Sequence, residues 1–209
     1  MAGLPESRPL LCYITDRRRV SGEDVLAMIE RAIAAGVDLV QIREKDLPTR
    51  ALAALVEAVV ERARGTATRI LVNDRLDVAL AGGADGVHLP AKGLPTAEVR
   101  RQYPGLLIGA SCHNLEELRR AEEGGADFAV FGPVFKPLSK ESAAAPLGVE
   151  KLAEAARVVG IPVLALGGVT LENAADCLRA GAAGVAAITL FQASKDLSKT
   201  VQQLRALTR

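Results

Sequence analysis

Apolar residues along the chain fall into short dense runs, separated by longer stretches with helical spacing. Four segments share one pattern: "AAGVDLVQIRE" (34–44), "AGGADGVHLP" (81–90), "EGGADFAVFGP" (123–133) and "RAGAAGVAAITL" (179–190). Each has a helical tail, a Gly, a small residue, usually an Asp, and then a Val-rich run. A Gly after a helix supplies the left-handed turn that stops it, so a strand is expected next. Three more apolar runs lie between the repeats: "RILVND" (69–74), "LLIGASC" (106–112) and "IPVLALGG" (161–168). A fourth, "LLCYIT" (10–15), precedes the first repeat. Helical patterns such as "EDVLAMIERAIAA", "ALAALVEAVVERA", "LEELRRAEE", "EKLAEAARVV" and "ENAADCLRA" fill the intervals.

Eight alternating strand–helix units of about 25 residues predict one compact (β/α)8 TIM barrel over residues 1–209. An open doubly wound sheet is the alternative, but no G-x-G-x-x-G turn follows the first strand. A barrel builds its active site at the C-terminal ends of its strands, so polar residues there are the candidates.

Composition narrows the picture. Apolar residues make up 49% of the chain, aromatics only 3%, and Trp is absent. The core must be Ala, Val, Leu and Ile, as in a parallel sheet under Ala-rich helices. A net charge of +1 gives no field for nucleic acid or an anionic membrane. No apolar run approaches a membrane span or a signal-peptide core. Cys12, Cys112 and Cys177 are widely spaced, without a CxxC or Cys/His cluster. They fit buried reduced thiols in a cytoplasmic protein.

The strand ends carry the chemistry. In "QIREK" the alternation puts Gln41, Arg43 and Lys45 on one face, with Ile42 and Glu44 on the other. Two cations and an amide in a barrel mouth call for an anion, phosphate or pyrophosphate, unless they pair internally with Glu44 or Asp74. "LVNDR" offers Asn73 and Asp74; Asp74 would hold a bridging Mg²⁺ or else cap the helix that follows. Ser111 is either a phosphate donor or a cap for "NLEELRR", and His88 and His113 read as hydrogen-bonded structural residues. Ser139 and Lys140 lie in the long "FGPVFKPLSKESAAAPLG" loop (131–148), which suits a lid over an anion. "LGGVT" and "AITLF" close strands seven and eight, where barrels commonly cradle a phosphate on backbone N–H groups. Two anionic ends in one pocket suit an enzyme acting on phosphorylated small molecules. "DRRR" (16–19) reads as a solvated turn, and a homo-oligomer is compatible with the exposed helix faces of such a barrel.

"YITDR", "QIREK", "VNDRLDVALAGGADGVHL", "IGASCH", "FAVFGPVF", "PLGVEKL" and "PVLALGGVT", in that order, resemble the thiamine phosphate synthase family over nearly the whole chain. The resemblance implies a (β/α)8 barrel that joins an aminopyrimidine diphosphate to a thiazole phosphate, with Mg²⁺ and loss of pyrophosphate. By position it implies that Gln41, Arg43, Lys45 and Asn73 hold the pyrimidine diphosphate and Asp74 the Mg²⁺. Ser111, Ser139 and Lys140 would contact the pyrophosphate, with Lys45 and Lys140 stabilising it as it leaves. Gly168, Ile188 and Thr189 would bind the thiazole phosphate.

Two stretches depart from the family. Its "VHL" continues into a Gly-Gln-x-Asp turn whose Asp is a second Mg²⁺ ligand; here stand Pro90, Ala91, Lys92 and Gly93. Its Pro-Thr-x-Thr-Lys loop reads Lys136-Pro137-Leu138-Ser139-Lys140. Thiazole tautomerases, a sister group, share the Leu-Pro turn, but their characteristic His falls on Pro133. The alternatives to a synthase are therefore a thiazole tautomerase or a non-catalytic phosphate-binding barrel. Lys92 is either a solvated loop residue or a contact to the diphosphate that replaces part of the metal's work.

Overall fold

A computed structural model of the chain describes residues 4–5, 7–19, 24–136 and 145–207. Its strands are β1 (Leu10–Ile14), β2 (Leu39–Ile42), β3 (Arg69–Asn73), β4 (Gly86–Leu89), β5 (Leu107–Cys112), β6 (Phe128–Phe131), β7 (Val163–Leu166) and β8 (Gly184–Ala187). All pairs are parallel, and β8 closes on β1, so the sheet is a closed barrel in sequence order. Helices α1 (Val25–Ala35), α2 (Thr49–Ala63), α3 (Leu76–Ala81), α4 (Thr96–Gln102), α5 (Leu115–Glu123), α6 (Gly148–Val158) and α7 (Ala174–Arg179) follow successive strands on the outside. The short α8 (Thr189–Gln192) and then α9 (Leu197–Arg205) follow β8. This is the (β/α)8 TIM barrel that the alternating pattern predicts.

Strand alternation divides the core in two. Outward residues such as Val40, Ile42, Ile70, Val72 and Val185 pack under the helices. Inward residues fill the barrel: Leu10, Cys12, Ile14, Leu39, Leu71, Phe128, Val130, Leu164 and Ala186. The inner cluster is thin, which suits a chain with so few aromatics. Phe128 takes the room left by Gly109, where a Cβ would stand 2.4 Å from the Phe128 ring.

The repeated Gly and Asp serve the opposite end from the mouth. Gly36, Gly83, Gly125 and Gly181 all have left-handed φ, between 67° and 93°, and end α1, α3, α5 and α7. Two residues on, Asp38, Asp85 and Asp127 each accept the N–H of a strand-start residue: Leu11 at 2.8 Å, Ile70 at 2.8 Å and Ile108 at 2.6 Å. Each also meets an arginine: Arg8 and Arg205 on Asp38, Arg69 on Asp85, Arg100 on Asp127. The fourth repeat has Ala183 instead. Asp38 is the most enclosed, with its side chain 4% exposed. Asp38→Ala strands a buried N–H and unpairs Arg205. It is expected to cost about 3 kcal/mol, read by urea unfolding, without altering the opposite rim.

Cys12, Cys112 and Cys177 are buried and unpaired. Burial pushes the Cys12 and Cys112 thiols up to about 12 and that of Cys177 to about 11. The neighbouring His113 ring lies on the Gly132 carbonyl, so adjacent Cys112 and His113 do not form a nucleophile pair.

Candidate active site

The inward residues at the C-terminal rim split into two halves. Gln41, Asn73, His88 and Ser111 on β2 to β5 form a polar crescent. Val130, Leu166, Ala186 and Ile14, on β6 to β8 and β1, with Ile188 just after β8, make the facing wall apolar. The crescent is built from β-ladder register, with Asn73 beside His88 and His88 beside Gly109. Gln41 is 2% exposed, and its Nε2 is buried without a partner. An unmet amide donor inside a barrel mouth is costly unless a ligand accepts it.

Arg43 follows the end of β2. Its N–H donates to Thr15 Oγ1 at 2.9 Å, and the Thr15 N–H donates to the Gln41 carbonyl at 3.0 Å. This lacing fixes the chain where strand alternation ends. Glu44 turns the other way: its buried carboxylate accepts the Arg17 N–H at 3.0 and 3.2 Å, while the Arg17 guanidinium pairs with Asp46. Arg17 is therefore a clasp between two rim loops, while Arg18 and Arg19 stay exposed, so the solvated turn expected from the charges needs correcting at Arg17 alone. Among the described residues, neither Arg43 nor Lys45 has a carboxylate partner, so the two cations are left to a ligand.

A cleft of about 300 Å³ opens between the ends of β2 and β3, lined by Glu44, Lys45, Asn73, Asp74 and Arg75 together with apolar side chains. Asp74 has a left-handed φ of 65° and donates its N–H to the His88 carbonyl at 2.9 Å. A non-glycine residue in that region is strained and held there by its surroundings. Asp74 does not cap α3, whose N-cap position is Arg75. A Cβ on Gly93 would stand 3.2 Å from Asp74 Oδ1, so the turn after β4 ends directly against this carboxylate.

Ser111 does not cap α5 either; Asn114 does, accepting the Glu117 N–H at 2.9 Å. Instead Ser111 Oγ lies 2.8 Å from His88 Nε2. His88 is 1% exposed, and burial, then the nearby Arg43 charge, lowers its pKa to about 3. The unfolded chain takes up a proton near pH 6.5 that the folded chain refuses until about pH 3. Stability is therefore lost as pH falls through that window, by up to about 1.4 kcal/mol per pH unit from this group. Urea unfolding at pH 7 and pH 5 checks it: His88→Gln should lose less stability across that step than the wild type.

Across the barrel, Gly167 and Gly168 follow β7 with φ of 96° and 62°. The missing Cβ atoms make room first for the chain itself. At Gly168 a Cβ would meet the Lys136 carbonyl oxygen at 2.5 Å, and at Gly167 the Pro133 Cβ at 2.6 Å. The long loop leaves β6 through residues 133–136, where the Val134 and Phe135 N–H groups donate to the Leu166 and Gly167 carbonyls, and returns at Leu147 and Gly148, whose N–H groups donate to Pro133 and Val134. Ser139 and Lys140 lie outside the described residues. Among the described residues, the N–H groups of Gly168, Ile188 and Thr189 donate to no protein acceptor, leaving them open to a ligand opposite β3.

The thiamine monophosphate synthase model matches residues 11–191. The chain belongs to that family. A provisionally named thiamine-phosphate synthase of Geobacter sulfurreducens is 46% identical over 198 residues, 94% of this chain and 93% of its own. The thiamine-phosphate synthase of Chloroflexus aurantiacus is 41% identical, over 94% of this chain and 91% of its own. Among solved structures, the thiamine phosphate pyrophosphorylase of Pyrococcus furiosus matches with a TM-score of 0.84 at 34% identity, over 95% of this chain and 94% of that one.

The thiamine monophosphate synthase pattern and the geometry meet at Gly93. The position where the pattern has an acid does adjoin Asp74, yet it carries no side chain. Among the described residues no cluster of three metal-ligating side chains exists. Mg²⁺ commonly takes one or two carboxylates and completes its shell with phosphate oxygens and water. Asp74 beside Lys45 and Asn73 fits the one-carboxylate form. Thr15 and the His88–Ser111 pair escaped the reading of candidate residues; the register of β4 against β5 was the missing signal.

Proposed function

We propose that this chain is a thiamine-phosphate synthase that joins hydroxymethylpyrimidine diphosphate to thiazole phosphate and releases pyrophosphate. One observation carries the reading: among the described residues Arg43, near His88, and Lys45, in the cleft beside Asn73 and Asp74, have no carboxylate partner, and the Gln41 donor is unmet. Open backbone N–H groups at residues 168, 188 and 189 lie on the opposite side of the mouth.

In this reading Gln41, Arg43, Lys45 and Asn73 grip the diphosphate end of the pyrimidine substrate, and Gly168, Ile188 and Thr189 bind the thiazole phosphate. The bond from the pyrimidine methylene carbon to the diphosphate oxygen breaks, and its electron pair leaves with pyrophosphate. The thiazole nitrogen then gives its lone pair to the same carbon. Arg43 and Lys45 stabilise the charge that builds on the leaving oxygens, the kind of preorganised electrostatics that dominates such reactions. Ser111 donates to the same group. Ser139 and Lys140, by resemblance, add to it from the loop, which would keep water from the carbocation. Asp74 would hold Mg²⁺, which supplies further charge neutralisation at the diphosphate.

The substrates are small phosphorylated molecules, and no described helix is long and apolar enough to cross a membrane. Three buried free thiols support a cytoplasmic location. Incubation with both substrates and Mg²⁺ tests the proposal. Thiamine phosphate and pyrophosphate are expected, and the absence of both contradicts it. The bare Gly93 favours a second reading, the tautomerase, which aromatisation of thiazole carboxylate phosphate alone would support. Against it, Pro133 puts no acid or base where that chemistry needs one.

A further inference from the structure

The His88 ring lies along β5, with its two nitrogens over two successive inward residues. Nε2 is 2.8 Å from Ser111 Oγ. Nδ1 is buried without a partner and sits over Gly109, where a Cβ would be only 2.6 Å away. A proton on Nδ1 would point at the glycine Cα–H and be buried without an acceptor. A bare Nδ1 leaves only an unmet lone pair, the smaller penalty. The proton therefore belongs on Nε2, and Ser111 Oγ must accept it.

That settles the direction of the serine. Once its oxygen accepts from His88, the Ser111 hydrogen has to leave along another direction, and the half-exposed side of Ser111 faces the mouth. We infer that His88 is a positioning residue that makes Ser111 an obligatory hydrogen-bond donor to the ligand. The unmet amide of the crescent, Gln41 Nε2, is a donor as well, and the Arg43 guanidinium lies near His88. The crescent thus presents N–H and O–H groups, so what lies against Ser111 is an acceptor: a phosphate oxygen or a ring nitrogen. His88 moves no proton in the reaction. Gly109 is part of the device, because a side chain there would push the ring off Ser111. The role in turnover rests on the synthase reading; the tautomer does not.

The tautomer is read directly on the wild-type chain by ¹⁵N NMR of histidine-labelled protein. The chain has two histidines, and a His113→Gln variant assigns them. The expected result is the Nε2–H form of His88, unchanged between pH 5 and pH 8. An Nδ1–H ring, or one that titrates in that range, overturns the inference.

The kinetic arm asks whether His88 acts through Ser111. Ser111→Ala and His88→Leu should each lower kcat/KM for the pyrimidine diphosphate by about tenfold to hundredfold. The double variant should be no worse than Ser111→Ala alone, within about twofold, because both remove the same donor. His88→Gln, which can still offer an N–H to the serine, should retain more activity than His88→Leu. Multiplied losses in the double variant, or a glutamine as impaired as the leucine, overturn the inference and leave His88 a packing residue. A variant that fails to fold leaves the NMR result to decide. A chain that forms no thiamine phosphate sinks the synthase reading alone, whereas an Nδ1–H ring in an active enzyme sinks the inference alone.

Discussion

Arg43→Ala is expected to lower kcat/KM for the pyrimidine diphosphate by about 10²- to 10³-fold, with the unfolding midpoint nearly unchanged. The two halves of that expectation have separate causes. Stability is spared because, among the described residues, the guanidinium has no carboxylate partner to strand, and the contact that fixes this point of the rim is made by the backbone. The Arg43 N–H, not its side chain, bonds Thr15. Activity should fall because, in the proposed reading, a planar fork would meet two oxygens of a leaving diphosphate at once, in a mouth whose other wall is apolar. Arg43→Lys keeps the charge and loses the fork, so it should fall between wild type and alanine. Its loss should appear mainly in KM if the contact only binds, and in kcat if it strengthens as charge builds on the leaving group. Removing the charge should also let His88 protonate more easily, since Arg43 helps to hold its pKa down.

The second large effect is at Asp74. Asp74→Asn removes the cleft carboxylate that Arg17 does not hold, Glu44 being the other, and both the Mg²⁺ concentration for half-maximal rate and the dissociation constant of Mg²⁺ measured with pyrophosphate by calorimetry should rise at least tenfold, on the order of one lost charge-assisted contact. The asparagine is isosteric and tolerates a left-handed φ, so the strained backbone at this position should persist. Gly93→Asp makes the opposite change. It places a second carboxylate against Asp74 Oδ1 and should tighten Mg²⁺ binding in the same calorimetric measurement. A Cβ there also meets Pro90 Cδ at 2.9 Å, so the turn must shift slightly to admit it. Unaltered Mg²⁺ binding in both variants would show that the metal, if used, is held elsewhere.

The barrel was readable in the sequence because its signals are local. Each repeat carries its own stop, a glycine in the left-handed region, followed by its own strand, and neither needs a distant partner. The same repeat hid the task of its aspartate. Asp38, Asp85 and Asp127 were visible as a pattern, but each bonds to a strand well before it in the chain. Arg43, Lys45, Asn73 and Asp74 stood out because charges and amides at strand ends are conspicuous, and ordered motifs set them in a family. His88 and Ser111 did not stand out as a pair, since 23 residues separate them and only the register of β4 against β5 brings them together. Arg17 looked solvated because a charge run gives no hint of the buried Glu44 that takes its backbone N–H. Gly167 and Gly168 looked like open ground for a ligand, whereas their missing side chains first admit residues 133–136. In each of these cases one sequence shows what a residue offers, and packing decides what takes the offer.

The central claim is that the polar crescent and the open N–H groups across the mouth hold two phosphorylated substrates for one coupling reaction. The most direct measurement is a time course of pyrophosphate and thiamine phosphate from purified chain, with each substrate supplied alone and then both together with Mg²⁺. The account predicts thiamine phosphate only when both substrates are present, accumulating one for one with pyrophosphate, and strongly reduced rates for Arg43→Ala. No thiamine phosphate from the mixture, or equal rates in wild type and Arg43→Ala, would contradict it.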